Sequence, residues 1–207
     1  MNRQQGRASI SAILLIVILG AVGFAFVTGV PAYNKLQRLD EGVKAAWSDV
    51  VNQYQRRADL VPNLVEVAKG YAAHEESVFT QVTEARSRVS SMNVNVGDLD
   101  ANALQQFQAA QAQLSGALSR LIAVSENYPE LKASEVFQNL QVQLEGTENR
   151  IATARSDYIN TVREFNSSVR QFPTNMIAGF AGLSAKPNFS VENEAQISTA
   201  PKVSFGQ

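Results

Sequence analysis

Apolar residues recur through the first half of the chain at alternating steps of four and three. From Val43 the series runs through Trp47, Val50, Tyr54, Arg57, Val61, Leu64, Ala68, Tyr71, Glu75, Val78, Val82, Ala85 and Val89. Twelve of these fourteen positions are apolar, where composition alone would supply about six. Such spacing keeps one face of an α-helix turned towards a partner, as in a coiled coil. The pattern predicts one long helix over Tyr33–Val89 on which other helices pack. Pro62 falls inside the series without shifting its register. A kinked helix is expected there rather than a loop, although a mid-helix proline costs ~3 kcal/mol. Gly42 and Gly70 each weaken the helix by ~1 kcal/mol relative to Ala.

Ahead of this stretch, Ile10 to Val30 is a run of 21 residues without a charge. As a helix it is ~31 Å long, about one hydrocarbon thickness. It is apolar on all sides, which a core helix of a water-soluble domain is not. The rival is a cleaved signal peptide, whose apolar core is usually ~7–15 residues and ends at a small-x-small site. The run is longer, and the site around Gly23 and Ala25 is poor. The reading is a retained transmembrane anchor in a lipid bilayer, preceded by a short basic N-terminus over residues 1–9. Arg3 and Arg7 lie before the anchor, and Lys35, Arg38 and Lys44 after it, so the basic tally is nearly even. A basic N-terminus that stays in the cytoplasm places the following domain on the extracytoplasmic side.

Ser90 to Leu99 loses the periodicity and reads as a connection rich in Ser, Asn, Gly and Asp. Asp98 or Asp100 can cap a second helix carrying Leu104, Phe107, Gln111, Leu114, Leu118 and Leu121, stopped by Pro129. Ser134 can cap a third, in which Phe137, Leu144, Ile151, Tyr158, Phe165 and Phe172 fall at every seventh residue. Pro173 ends it. A short fourth helix over Asn175–Leu183, capped by Thr174, completes a bundle spanning residues 31–183. The tail, residues 184–207, holds two alternating clusters, Phe189–Val191 and Val203–Phe205, which are weakly strand-like. The predicted fold is all-α: an antiparallel up-and-down bundle of three long helices and a short fourth. An N-terminal transmembrane helix precedes it and a short extended tail follows.

Composition narrows the chemistry. With no cysteine, disulfides, thiolate metal sites and cysteine nucleophiles are excluded. The formal net charge of -1 gives no field that would draw nucleic acid. The arginines at 56, 57, 86, 88, 150 and 155 are dispersed and lack an aromatic stacking platform, so no nucleic acid is expected. The single His74 has no second His or Cys at ligand spacing, and no nucleophile elbow or phosphate loop occurs. No catalytic residue, cofactor or metal is therefore assigned.

The anomaly is charge on the apolar seam. Arg57 and Glu75 occupy core positions, where a charge is costly unless paired. A second helix running back along a first helix that ends at Val89 brings Glu126 near Arg57, and Arg150 or Arg155 of the third is available to Glu75. These five residues are expected to form internal polar pairs that fix helix register, with a polar binding groove as the other reading. On the pairing expectation, Glu126→Ala strands Arg57 and costs ~3 kcal/mol or more.

Several short stretches carry a family likeness. They include Tyr33-Asn34, Ala46-Trp47-Ser48, Arg57 to Leu64, His74-Glu75 and Ala85-Arg86. Beyond these come Glu126 to Ala133, Leu140-Gln141, Thr147 to Ala152, Ala154-Arg155, Tyr158, Phe165-Asn166 and Phe172-Pro173. Together they resemble the LemA family of bacterial membrane-anchored helical proteins, over nearly everything from Tyr33 onward. The resemblance implies an N-terminal membrane helix and an up-and-down bundle, and no known enzymatic activity or cofactor. The expectation is a single-pass protein of the bacterial inner membrane that acts as a non-enzymatic scaffold. It would form a homo-oligomer or dock other envelope proteins. The alternatives are a ligand-binding or enzymatic module built on an interhelical groove, and an adaptor for an envelope protease or signalling protein.

Overall fold

The structure, a computed structural model, describes residues 10–92 and 99–189. It is all-α: no strand occurs among the described residues. Helix α1 spans Ile10–Tyr71, α2 Glu76–Ser91, α3 Ala101–Ser125, α4 Pro129–Ala133, α5 Glu135–Arg170 and α6 Thr174–Phe180. The expected strand clusters of the tail lie outside the described residues, apart from Phe189.

The chain divides into two compact units, residues 43–163 with 186–207, and residues 1–42 with 164–185. The first is the helical bundle. Along α1 the seam residues Val43, Trp47, Val50, Tyr54, Val61, Leu64 and Ala68 are all buried. Pro62 lies within α1, which continues as helix through it. The first helix nevertheless ends earlier than its spacing predicts, at Tyr71 rather than Val89. The chain reverses at Ala72–Glu75, and α2 returns alongside α1 with Phe79, Val82, Ala85 and Val89 buried. The predicted helix over Tyr33–Val89 is thus two helices. The spacing passes through the turn unbroken because both arms of the hairpin face one core. Tyr71, Glu75 and Val78, at and beside the turn, are the seam residues that lose full burial.

Helix α3 starts where expected: the Asp100 carboxylate accepts from the Ala103 amide at 2.6 Å. This is an N-cap, which satisfies one of the donors a helix start leaves free. It packs antiparallel to α2, with Arg88 donating to Gln113 and Arg120 to Gln81. Pro129 sits at the start of the single-turn α4, where the missing N–H costs nothing. Ser134 Oγ accepts from the Phe137 amide and opens α5. The core joins Leu64 and Ala68 of α1, Phe79 and Val82 of α2, Leu114, Leu118 and Leu121 of α3, Leu131 of α4, and Phe137 and Leu144 of α5. Burying each large side chain contributes ~1.5–3 kcal/mol, so truncating any one of these leucines to Ala is expected to cost ~2–5 kcal/mol.

The second unit holds the apolar run. From Ile13 to Val27 its large apolar side chains are 52% to 72% exposed. By length and composition this part of α1 can cross a membrane. Leu36 and Asp40 of α1 are buried here, as are Phe165 and Ser168 of α5 and Ala178 of α6. Phe172, predicted as the last core residue of the third helix, falls beyond the end of α5 and is 79% exposed. Thr174, expected to cap α6, is instead its first residue; Pro173 holds the N-cap position and makes no side-chain cap. The helix ends in a Schellman motif: Leu183 N–H donates to Ala178, Gly182 N–H to Gly179, and Gly182 takes φ +68°. That backbone conformation is open to glycine without steric cost.

Candidate functional site

Arg57 is the buried charge around which the bundle's polar site forms. Its α1 position turns the guanidinium into the interior, where it is 2% exposed. Nη1 donates to Glu148 of α5 at 2.7 Å and to Ser115 Oγ of α3 at 2.8 Å. Nη2 donates to the Gln111 side-chain oxygen at 2.6 Å and to the Gln111 carbonyl at 3.2 Å. The guanidinium also lies 5.0 Å from the Tyr54 ring. One arginine on α1 thereby engages both α3 and α5.

Beside this cluster is a cleft of about 350 Å³, lined among others by Arg57, Gln108, Glu148, Arg155 and Phe189. That volume lies at the small end of ligand sites. Arg155 lies over the Phe189 ring at 4.6 Å. Phe189 packs on Tyr158 and Trp47, with ring centroids 5.4 and 6.1 Å away. Trp47, Tyr54 and Phe107 continue the aromatic layer inward. The segment leading to Phe189 is pinned to α5: Tyr158 Oη donates to the Pro187 carbonyl at 3.0 Å, and Asn188 donates to the Ile159 carbonyl at 3.3 Å. Burial pushes the Tyr158 hydroxyl up to about 12 from its ordinary 10.0. Burial also raises that of Tyr54, against the opposing pull of Arg155 and Arg57.

Among the five polar residues singled out on the helices, only Arg57 and Arg155 share this cleft. Arg57 pairs with Glu148, not with Glu126. The expected pairing assumed one unbroken first helix. The reversal at Ala72–Glu75 instead runs α3 parallel to α1 and brings Gln111 and Ser115 to Arg57. Glu126 pairs on the surface with Lys132, both more than half exposed. Glu75 accepts from the Tyr128 hydroxyl at 3.1 Å, not from Arg150 or Arg155. Glu75 lies at the α1–α2 turn, and its carboxylate, after desolvation, helps to raise the Tyr128 hydroxyl's pKa. Arg150 donates to Thr147 within its own helix at 3.0 Å. His74 is an exposed turn residue. Among the described residues, no group of three or more His, Asp or Glu stands together to hold a metal ion.

Gln111, Ser115, Glu148 and Phe189 belong to the site and were not singled out from sequence as site residues. Gln111 interrupts an otherwise apolar α3 seam, a signal of the same kind as Arg57. Glu148 stands between the core positions Leu144 and Ile151, at a spacing that turns it towards the core. Phe189 carried no signal beyond a weak strand pattern.

A family model described as LemA family matches residues 46–205. The chain is 28% identical to Magnetosome protein MamQ 2 of Paramagnetospirillum magneticum, aligning 87% of this chain with 72% of that protein. It is 25% identical to Magnetosome protein MamQ of Magnetospirillum gryphiswaldense, over the same shares of each. Identity to Protein LemA of Metamycoplasma hominis is also 25%, covering 80% of this chain and 71% of that one.

Proposed function

The chain belongs to the LemA family, and from that premise we propose a single-pass, membrane-anchored, non-enzymatic scaffold at the bacterial inner membrane. It self-associates and docks protein partners of the cell envelope, with its bundle on the extracytoplasmic side. The observation that carries this is α1 itself. One helix holds both the outward-facing apolar run and the seam residues from Val43 to Ala68. Copies held in one membrane meet at raised effective concentration, so weak lateral contacts suffice for assembly. The relatives from Paramagnetospirillum and Magnetospirillum are named for a cellular structure, the magnetosome, rather than for a reaction.

The test is the mass of the full-length protein extracted with its anchor in detergent, above micromolar concentration. A defined multiple of the chain mass is expected. Elution only as a monomer overturns self-association. Recovery of a stoichiometric envelope protease or signalling protein would move the reading to an adaptor.

A second reading has its own observation, the cleft beside Arg57 and Arg155. It is lined by polar and apolar side chains alike and is large enough for a small ligand, so a ligand-binding or enzymatic module could be built there. A small-molecule thermal-shift screen discriminates. A hit abolished by Arg155→Ala supports a binding module, whereas an indifferent variant returns the cleft to a purely structural role.

A further inference from the structure

A second exposed apolar patch stands apart from the membrane-spanning run. Phe172 is 79% exposed, Met176 56% and Phe180 92%. They lie on the turn after α5 and on α6. The residue that α6 buries fully is the small Ala178 and Ile177 is half-buried, while Met176 and Phe180 face outward. A solvated surface helix does the reverse. The whole segment 171–185 lacks Asp, Glu, Lys and Arg, although these make up 18% of the chain. It is bracketed by Arg170 and Lys186.

Position identifies what meets this patch. Residues 164–185 belong to the same compact unit as the apolar run. The antiparallel register that sets Trp47 beside Tyr158 and Arg57 beside Glu148, continued along the same two helices, places Arg170 level with Lys35. The turn carrying α6 then comes level with the end of the apolar run, around Val30–Tyr33. Lys35, Arg38 and Arg170 mark the boundary between charged and uncharged surface. Aromatic side chains with flanking Lys and Arg are what a protein presents at the headgroup region.

We propose that α6 and the preceding turn form an interfacial wedge. Phe172, Met176 and Phe180 enter the outermost acyl region of the bilayer that holds Ile10–Val30, giving the chain a second, shallow contact with lipid. The proposal rests on the reading of Ile10–Val30 as membrane-spanning. A second copy of the chain fits the patch less well. Three side chains offer roughly 500 Å² a side, below the ~800 Å² of a stable protein interface. Lipid needs no such area, because an interfacial helix sinks only ~5–10 Å.

The chain has no cysteine, so single spin labels report depth cleanly. Full-length protein is reconstituted into vesicles of phosphatidylcholine and phosphatidylglycerol. It carries Gly179→Cys, Val22→Cys in the apolar run, or Ser119→Cys on the exposed face of α3. A Cβ added at Gly179 meets nothing within 4 Å. Power-saturation EPR then compares collisions with dissolved oxygen, which favours lipid, and with a nickel chelate, which stays in water. The label at Gly179 is expected to show lipid-like accessibility intermediate between the deep Val22 site and the aqueous Ser119 site. Adding Phe172→Ser and Phe180→Ser should return it to the aqueous value.

An aqueous value at Gly179 with a lipid value at Val22 overturns the wedge and leaves the anchor standing. An aqueous value at both sites overturns the anchor reading itself. Protection at Gly179 that vanishes as the protein is diluted in lipid also overturns the wedge, and assigns the patch to a second copy.

Discussion

Arg86 Nε, on α2, donates to the backbone carbonyl of Ala58, on α1, at 3.0 Å. In an ordinary helix that carbonyl is served by the amide four residues on. Here the residue four on is Pro62, which has no N–H. The helix that folds back thus supplies the donor the proline withholds, and the hairpin of α1 and α2 compensates a defect in its own first arm. Arg86→Ala should cost ~1–2 kcal/mol, the penalty for a carbonyl left without its partner. In a Pro62→Ala background the same change should cost ~1 kcal/mol less. Chemical denaturation of the four proteins in detergent measures this coupling, and additive effects would refute it.

Glu148 and Glu126 make a matched contrast. Glu148 is the carboxylate partner of a guanidinium only 2% exposed, though it is itself 45% exposed. Glu148→Ala should therefore destabilise by ~1–3 kcal/mol, below the figure for a wholly buried pair. Glu126 forms a surface pair with Lys132, and Glu126→Ala should change stability by less than ~1 kcal/mol. Thermal melts of the two variants in one buffer decide it; the reverse order would contradict the pairing described.

Trp47 is the chain's one tryptophan, and Phe189 packs on it. Phe189→Ala opens that end of the aromatic layer to water. The expected outcome is a red shift in the Trp47 emission and faster quenching by acrylamide, with the helical circular dichroism unchanged. An unaltered emission spectrum would mean that residue 189 does not seat on the bundle in solution.

Alkali should act through Tyr158. The folded chain keeps this hydroxyl protonated up to about 12, whereas the unfolded chain ionises it near 10.0. Its contribution is therefore complete below pH 10 and is lost as pH rises through 12. Tyr54 is shifted in the same direction and adds to the fall. Melting temperature followed across this range should drop for the parent and drop less for Tyr158→Phe. That variant should also be somewhat less stable at neutral pH, since it loses the hydrogen bond to the Pro187 carbonyl.

Much of the architecture was legible because helical period is a one-dimensional signal. The Leu104–Leu121 and Phe137–Phe165 series lie on α3 and α5, and Asp100 caps where its position suggested. The reversal at Ala72–Glu75 was not legible, since a hairpin with both arms on one core leaves the spacing intact. The cues were local: Gly70 near the end of the first arm, and Glu75-Glu76 at the start of the second, where a helix dipole favours acids. This one turn also decided the site. Arg57 stood out as a charge on a seam, but its partners depend on how the other helices are registered against α1. Without the reversal, Glu126 falls closest; with it, Gln111, Ser115 and Glu148 do. The seat of Phe189 is a tertiary contact that no short pattern encodes.

The span between Arg57 and Glu148 has a consequence for biogenesis. The two residues are 91 positions apart in the chain, so at ~5–20 residues per second the arginine leaves the ribosome ~5–20 s before its counter-ion exists. During that interval the α1 seam is out of the translation channel with no α5 to cover it. The nascent chain must be shielded through those seconds, by the α1–α2 hairpin closing early or by a chaperone on the side where the domain emerges.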